Sequence, residues 1–500
     1  MSPQATPILP ADLPAAQELI SRLADENTQL RWRVHQLEKE LFGPSSEKAG
    51  SVFSKEQVLL NLFPKPPEPP ATTTAVVDDA PASPRPPSLP EARTLETVVR
   101  RLEPEETTCP HCGQAKCEIG CERTERFEYV PARIVRHEIL RPRLACRCGQ
   151  GSVSVAALPP SPVEKGHPGP GLLAHVALSK YVDHLPLYRQ EQQFARLGVH
   201  IPRQTLTDWI EQCAVLLQPL VRVMKEELLS GSYLQADETP VRLLDPEVRG
   251  RCATAYLWVV GQPGGDVVFE FHPGRGKEYA VALLGEFRGS LQTDAYGVYA
   301  SLAGERPGIR LCGCWSHCRR KFIEAAEASP AQAGWVVQQI ARLYHLESQA
   351  RAEAMGPEQR AALRAASAPE ILRVLREQLE AWWPAQLPQS PLGKAIRYAL
   401  NQWEVLQRFV SDGRVEIDTN LIENAIRPSG VGKKNFLFIG HPDAGWRSAV
   451  IYSVVVSCQR RGIDLWQYLK DVFERLPSAR TSQLHDFLPR NWKPPTGDSS

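Results

Sequence analysis

The sequence predicts an α/β fold for the middle of the chain, and two observations support this prediction. From Ser232 onward, apolar residues follow the two-residue period of β-strands, whereas the preceding segment has the longer period of α-helices. Three strand patterns then come in succession, after which helix and strand patterns alternate. The chain has 500 residues, which is enough for roughly three or four domains, so accessory regions are expected around this core.

The composition limits the classes of function. The formal net charge is only +1, with 58 Lys and Arg against 57 Asp and Glu, so any binding of nucleic acid must come from local patches. The start of the chain lacks the pattern of a signal peptide, and the most apolar run, residues 449–456, is too short to span a bilayer. We therefore expect a cytoplasmic protein without a membrane partner, in which the 12 cysteines bind metal or stay reduced.

Residues 10–43 are predicted to form a coiled-coil helix. Apolar residues occupy both heptad positions, and Asn27 lies at one of them, where a single Asn commonly sets the register of a parallel coiled coil. The apolar residues are Ile20, Leu23, Leu30, Val34, Leu37 and Leu41. This pattern predicts a homo-oligomer, although an amphipathic helix that packs on its own domain would show it too.

Residues 50–98 are predicted to be a linker. They are rich in Pro, Ala, Thr and Ser, they contain many of the 44 prolines, and they have few large apolar residues after Phe63. Such a segment has too little apolar surface to form a core.

Residues 99–160 are predicted to be a zinc-binding module. Two close cysteine pairs, each followed by Gly, flank a strand pattern at residues 127–139, and four thiolates in this arrangement suit one structural Zn²⁺. The predicted ligands are Cys109, Cys112, Cys146 and Cys148. The second pair is tighter than the usual spacing, so Cys117 or Cys121 remains an alternative fourth ligand.

Residues 168–228 are predicted to be helical and to resemble a helix-turn-helix. Residues 189–197 form one helix pattern, Gly198 follows, and residues 203–216 form the next. The start of the second helix would present Arg203, Gln204 and Thr205 to DNA. Any hairpin of two helices gives the same pattern, so the alternative of a purely structural hairpin stays open.

The order of elements in the core predicts a ribonuclease H-like domain. Strands are predicted at residues 233–237, 254–260, 266–271, 289–294 and 309–314, with helices at residues 277–284 and 316–327. Residues 230–327 would form the first part of this core, residues 328–410 a helical insertion, and residues 411–445 the last part. Residues 446–500 are predicted to be a C-terminal helical region and tail. In this layout the first and fourth strands are neighbours, which would bring Asp237 and Asp294 together.

Three acids are the candidate catalytic residues. Asp237 and Asp294 end two predicted strands, and Glu423 lies near the start of a helix facing the same edge. Three carboxylates at such a place suit two Mg²⁺ or Mn²⁺ ions, the arrangement used to cut or join a phosphodiester backbone. Each acid also has an ordinary explanation, since Asp237 could close a turn and Asp294 and Glu423 could cap helices.

Basic and sulfur-containing residues follow the acids. A phosphate backbone could be bound by the cations that lie close to them in sequence, although solvated helix faces would explain these as well: Arg319, Arg320, Lys321, Arg427, Lys433 and Lys434. A second metal site at Cys312, Cys314, His317 and Cys318 is disfavoured, because these side chains are expected to diverge at the junction of a strand and a helix.

Seven stretches of this sequence, in the same order, resemble the DDE transposases of the bacterial insertion-sequence 66 family. They are residues 41–48 (LFGPSSEK), 109–112 (CPHC), 180–189 (KYVDHLPLYR), 237–240 (DETP), 293–296 (TDAY), 314–322 (CWSHCRRKF) and 420–428 (NLIENAIRP). The resemblance implies that Asp237, Asp294 and Glu423 form the metal-binding triad. It also implies that Cys314 and His317 support the site, and that companion proteins are encoded by the same element.

The expected function is that of a transposase. Its partner would be double-stranded DNA, namely the terminal inverted repeats of the transposon and the target. It would cleave a strand at each transposon end and use the freed 3′ hydroxyl to attack target DNA. Two alternatives remain at this stage: a non-catalytic DNA-binding protein derived from a transposase, and a structure-specific nuclease that cleaves without joining.

Overall fold

The computed structural model describes residues 134–141, 143–144, 154–156, 161–163, 168–248 and 251–494. The predicted coiled coil, the linker and the cysteines Cys109, Cys112, Cys117, Cys121, Cys146 and Cys148 lie outside the described residues. In the region of the predicted zinc module, β1 (Arg143–Leu144) pairs antiparallel with β2 (Ser154–Val155). Residues 134–141 have no regular secondary structure, so the strand predicted at residues 127–139 is wrong over its described part.

Three helices precede the sheet: α1 (Pro170–Tyr181), α2 (Leu187–Arg196) and α3 (Arg203–Ser230). Gly198 has φ +81°, a conformation that lets the chain turn between α2 and α3. Helix α3 is 28 residues long and continues well past residue 216, where the prediction ended it. It does so because apolar residues recur along one face to its end, and these are buried, among them Leu217, Met224 and Leu228.

The centre of the protein is a mixed α/β arrangement around a five-stranded sheet. Its elements in chain order are β3 (Tyr233–Leu243), β4 (Ala253–Gly261), β5 (Val267–His272), α4 (Lys277–Leu284), β6 (Gly289–Gln292), α5 (Gly297–Glu305), β7 (Ile309–Cys312) and α6 (Trp315–Ala325). The strand order is β5-β4-β3-β6-β7; the pairs of β3, β4 and β5 are antiparallel, and those of β3, β6 and β7 are parallel. The first and fourth strands of this core therefore lie side by side, as predicted.

Strand β3 differs from its prediction at its end. The expected strand stops at Asp237, whereas the observed one runs on to Leu243 and pairs with β4 from Gln235 to Leu243. Pro240 fits within it because β6 pairs only with Tyr233–Gln235, which leaves the other edge of β3 unpaired at Pro240. Asp237 consequently lies within a strand and does not close a turn.

Helices dominate the chain from α7 (Pro330–Ala352) through α8 (Pro357–Trp382) and α9 (Pro391–Asn401) to α10 (Trp403–Leu406), with 3-10 helices at Trp383–Ala385 and Gln407–Ser411. These helices share one apolar core with α6 and with the ends of two strands. That core includes Phe322, Leu343, Leu375 and Ile396 together with Tyr233 of β3 and Cys312 of β7. The helices are thus packed directly onto the sheet.

The last helices are α11 (Asn420–Phe436), α12 (Gly445–Arg460) and α13 (Leu465–Arg475), and 3-10 helices follow at Leu476–Ser478 and Thr481–Phe487. Helix α12 covers the edge strand β5, where Ser457 and Ser453 accept hydrogen bonds from the backbone of Val267 at 3.0 Å and of Phe269 at 2.8 Å. Those serines occupy donors that would otherwise be open to another strand. None of the helices in the described ranges has the length and apolar character needed to cross a membrane.

Candidate active site

The three candidate acids lie on three elements that meet at one edge of the sheet. Gln235 of β3 and Gln292 of β6 are register partners in a parallel pair, so Asp237 and Asp294, two residues beyond each, lie at the same level. Glu423 is in the first turn of α11, a helix that packs against β3. The fold therefore converges on these three carboxylates.

The convergence of the acids affects the pKa of Asp237. Burial raises its pKa to about 7, and the charges of Glu238, Asp294 and Glu423 act in the same direction, while a hydrogen bond from the Glu238 backbone opposes them. A carboxyl group with such a pKa carries a charge that its surroundings do not balance. An added cation would remove this imbalance.

Each acid is oriented through one of its oxygens. The Asp237 Oδ1 accepts the backbone N–H of Glu238 at 2.7 Å, and the Asp294 Oδ1 accepts that of Tyr296 at 2.9 Å. In the part of the chain that the structure describes, the Oδ2 of Asp237 and of Asp294 accept no hydrogen bond. Each aspartate is thus held in place locally while its second oxygen remains available as a ligand.

Glu423 is oriented by a small polar cluster. Its Oε1 lies 3.0 Å from the hydroxyl of Thr419, which is itself 3.1 Å from the Sγ of Cys314. The Thr419 proton goes to the carboxylate, because a carboxylate can only accept. The Nδ1 of His317 lies 3.2 Å from the same Sγ and 3.7 Å from the Glu423 Oε1.

This cluster corrects the expectation that Cys314 and His317 diverge. Cys314 precedes α6 and His317 lies one turn into it, so both face Thr419 and Glu423. The atoms of Cys314, His317 and Glu423 that could bind a metal all lie within 4.8 Å of one another. Burial raises the pKa of Cys314 to about 11, and its Sγ accepts hydrogen bonds from the backbone and the hydroxyl of Thr419. Cys312 and Cys318 are buried elsewhere and do not join this group.

A pair of buried glutamines, which the sequence did not single out, fastens the segment before Glu423 to the sheet. The Nε2 of Gln235 donates to the backbone oxygen of Asp418 at 2.8 Å and to the Gln292 Oε1 at 2.9 Å. The Nε2 of Gln292 donates to the backbone oxygen of Glu416 at 2.7 Å. Each glutamine lies two residues before a candidate aspartate, so the same strands carry two acids and position the third.

Glu238, next to Asp237, has partners of its own. Arg275 donates to its Oε1 from Nε at 2.8 Å, and the hydroxyl of Tyr299 donates to its Oε2 at 2.9 Å. Both oxygens are therefore occupied. These hydrogen bonds are consistent with a candidate triad that does not include Glu238.

The predicted basic residues differ in their surroundings. The Nζ of Lys433 donates to Thr239 Oγ1 at 3.2 Å and to the Pro240 backbone oxygen at 3.0 Å, so it joins α11 to β3. Arg427 and Lys434 are exposed on the same helix. On α6, Arg320 lies 4.0 Å from the Glu423 Oε2 and Lys321 pairs with Glu324 at 3.6 Å, while Arg319 is half-buried.

The predicted DNA-contacting residues lie at the start of α3. The backbone N–H of Arg203 donates to the Glu191 Oε1 of α2 at 3.0 Å, which fixes the angle between the two helices. The side chain of Gln204 donates to Asp208 at 2.9 Å, and Thr205 is half-buried. Arg203 and Gln204 are exposed, so this end of α3 is accessible to a partner.

Comparisons with known proteins give one family. Residues 165–447 match the transposase IS66 family, and residues 106–149 match the zinc-finger binding domain of transposase IS66. Among individual proteins, the uncharacterized protein y4qI of Sinorhizobium fredii (strain NBRC 101917 / NGR234) is 34% identical over 81% of this chain and 77% of its own length. The uncharacterized protein y4jD of the same organism is 34% identical over 78% of this chain and 79% of its own length.

Among solved structures, the Drosophila P element transposase strand transfer complex aligns with a TM-score of 0.30 and 11% identity, over 61% of this chain and 94% of that one. The family matches cover well over half of the sequence and extend across α1 to α11, including all three candidate acids. By these matches, the chain belongs to the IS66 transposase family.

Proposed function

We propose that this chain is a DDE-type polynucleotidyl transferase that cleaves a strand at each transposon end and joins the freed 3′ hydroxyl to target DNA. The observation that carries the proposal is the convergence of Asp237, Asp294 and Glu423, whose mutual repulsion contributes to an Asp237 pKa of about 7. Family membership supports double-stranded DNA as the substrate. In this proposal the strand order and directions of β3 to β7 belong to a ribonuclease H-like core, and α7 to α10 to an insertion in it.

The donor set fits a hard divalent cation such as Mg²⁺ or Mn²⁺. It consists of carboxylates, and Asp237 and Asp294 each have an oxygen that is not used in hydrogen bonding with the described residues. Two such ions, held by Asp237, Asp294 and Glu423, would supply activation of the nucleophile, which is water in cleavage and the 3′ hydroxyl in joining, and stabilisation of the leaving oxygen. The protein's own part is to orient each acid through Glu238, Tyr296 and Thr419.

Accessory roles complete the proposal. The match to the zinc-finger binding domain supports one structural Zn²⁺ held by Cys109, Cys112, Cys146 and Cys148. Residues 10–43 would bring copies of the chain together, and companion proteins of the same element would join them. DNA would be held by Arg203, Gln204 and Thr205 and by the basic residues of α6 and α11: Arg319, Arg320, Lys321, Arg427, Lys433 and Lys434.

The test is the variant Glu423→Gln, which keeps the shape of the side chain and removes its charge. We expect cleavage of labelled transposon ends in Mg²⁺ to fall by at least about a thousandfold, while binding of those ends stays within about twofold of the wild type. The matched control is Glu327→Gln, which changes an exposed acid in the turn after α6. This variant should cleave at the wild-type rate.

Undiminished cleavage by Glu423→Gln would reject the triad. A plasmid target in the same reaction separates a transposase from a nuclease, because only a transposase joins the labelled end to the plasmid. A protein that binds the ends and never nicks them would instead be a DNA-binding derivative of such an enzyme.

A further inference from the structure

A basic cleft of about 510 Å³ opens between α6 and α9, and we call it the α6/α9 cleft. Its lining includes Lys321 and Glu324 of α6 and Lys394, Arg397, Tyr398 and Asn401 of α9. The two helices pack through buried residues that include Phe322 and Ile396, so the walls of the cleft are held by the apolar core. Lys394, Arg397 and Asn401 recur at helical spacing and form one exposed face of α9.

The charge of the α6/α9 cleft is not neutralised by its surroundings. Among the residues that line the cleft, Glu324 is the acidic one, and it pairs with Lys321. Lys394 and Arg397 form neither an ion pair nor a hydrogen bond with any side chain in the described ranges. On α8 of the same insertion, by contrast, Arg373 bonds to Glu370 and Glu377 and Arg376 bonds to Glu380. The cleft therefore presents cations suited to an anionic ligand.

The α6/α9 cleft is next to the candidate active site along α6. On the α9 side, the half-buried ring of Tyr398 packs against the apolar core that includes Trp315 and Cys318 of α6. On the α6 side, Arg320 precedes Lys321 and lies 4.0 Å from the Glu423 Oε2. A polymer bound at the acids and extending over the insertion would pass this cleft.

We propose that the α6/α9 cleft binds the phosphodiester backbone of the DNA strand as it leaves the active site over the helical insertion. Lys394 and Arg397 would contact phosphates, and Asn401 would donate to a backbone oxygen. The location of the strand rests on the proposed function, which brings DNA to the acids. DNA is favoured over an acidic protein because a scissile strand must continue away from the acids, whereas nothing requires a protein there.

The test measures how DNA binding depends on salt, using the full chain with Lys394→Ala and Arg397→Ala combined. The probe is a fluorescent duplex of random sequence in buffer without Mg²⁺ or Mn²⁺, titrated at several KCl concentrations. Because each phosphate contact contributes about one to the slope of log affinity against log salt, the double variant should lower this slope by about 2. Its affinity at low salt should fall by about tenfold.

The matched control combines Arg373→Ala and Arg376→Ala, which removes the same charge from arginines already paired to glutamates. Its slope should equal that of the wild type. A second readout is a photocrosslinking amino acid introduced at Asn401, which should crosslink to the labelled DNA, whereas the same group at Glu377 should not. Equal slopes for the wild type and the cleft variant, or equal losses in the cleft variant and the control, would overturn the proposal.

The outcomes separate this proposal from the catalytic one. A wild-type chain that cleaves ends, with an unchanged slope in the cleft variant, contradicts only the cleft. If the wild-type chain never cleaves but the cleft variant has a reduced slope, the result supports the cleft and contradicts the catalytic proposal. A wild-type chain that does not bind DNA contradicts both.

Discussion

The helices α7 to α10, the proposed insertion, and the candidate active site differ in how buried charges are paired. In the insertion, Arg364 is 0% exposed and its Nε and Nη2 bond to both oxygens of Glu347, at 2.7 and 2.8 Å. Arg360 adds bonds to Glu347 and, at 2.8 and 2.7 Å, to the two oxygens of Glu416. Arg364 and Arg360 thus meet two glutamates, and the exposed Arg351 adds a bond to Glu416 at 3.1 Å. Asp237, by contrast, is buried beside the acids Glu238, Asp294 and Glu423, and the nearby Arg320 lies 4.0 Å from the Glu423 Oε2.

This difference indicates separate roles for the arginine–glutamate network and for the three carboxylates. The insertion network also includes the backbone oxygens of Phe409 and Asp412, which Arg364 holds at 2.7 and 2.9 Å, so it fastens the helices to the segment that leads to Glu423. Its charges are balanced within the protein, and its role is complete without a ligand. The carboxylates at the sheet edge are unbalanced, which raises the free energy of the folded chain unless a cation or substrate joins them.

The largest effect on stability is expected from unbalancing the insertion network. Arg364→Met removes a buried cation and leaves Glu347 with fewer partners, so the free energy of unfolding should fall by about 3–5 kcal/mol. Chemical denaturation followed by circular dichroism measures it. The double variant Arg364→Met with Glu347→Leu should be more stable than the sum of the single changes predicts, because neither charge is then left alone.

Arg373→Ala serves as the control for this prediction, because Arg373 is exposed and pairs with exposed glutamates. Its unfolding midpoint should stay close to that of the wild type. A loss for Arg364→Met no larger than that of the control would show that the buried network does not hold the insertion.

The strand order and the convergence of the acids could be predicted from the sequence, because both follow from local periods and from general rules of chain topology. The partners of buried polar groups could not. The sequence period shows that Gln235 and Gln292 lie in strands, yet their bonds reach Asp418 and Glu416, 183 and 124 positions along the chain. A signal was nevertheless present, since each glutamine directly follows a Leu and precedes a candidate aspartate by the same two positions.

Other differences also reflect interactions that a local pattern does not contain. β3 runs past Asp237 because β4 pairs with it as far as Leu243, although Asp237-Glu238-Thr239-Pro240 resembles a turn. Cys314 and His317 join Glu423 because Thr419, about a hundred positions later in the chain, bonds to both Cys314 and Glu423. Such contacts depend on the folded arrangement of segments that are distant in sequence.

A smaller effect of opposite sign is expected from relieving the imbalance at the sheet edge. In buffer without divalent cations at pH 8, Asp237→Asn should increase the free energy of unfolding by about 1–3 kcal/mol, because it removes a charge that is destabilised by burial and by repulsion from Glu238, Asp294 and Glu423. Thermal unfolding monitored by fluorescence measures the change. Cleavage should be lost in the same variant, so stability and activity would move in opposite directions.

The pH dependence of the wild type follows from the same group. Since the folded pKa of Asp237 is raised to about 7, its stabilising protonated form is fully present below the unfolded value near 4 and is lost as pH rises through 7. In buffer without divalent cations, the wild type should therefore lose stability between about pH 4 and pH 7, and Asp237→Asn should show a weaker dependence. Saturating Mg²⁺ should raise the wild-type midpoint at pH 8. A pH profile identical in both proteins would contradict this account of Asp237.

The smallest effect is expected at the Thr419 hydroxyl, which orients Glu423. Thr419→Val keeps the buried shape and removes the hydrogen bond to Glu423, so the cleavage rate should fall by about tenfold, while the free energy of unfolding changes by only about 1 kcal/mol. Thr419→Ser retains the hydroxyl and should cleave within about twofold of the wild type. Because Thr419 orients an acid without balancing its charge, the Val variant should keep the pH profile of stability described for Asp237. Equal rates for the Val and Ser variants would mean that Glu423 is positioned by the backbone of α11 alone.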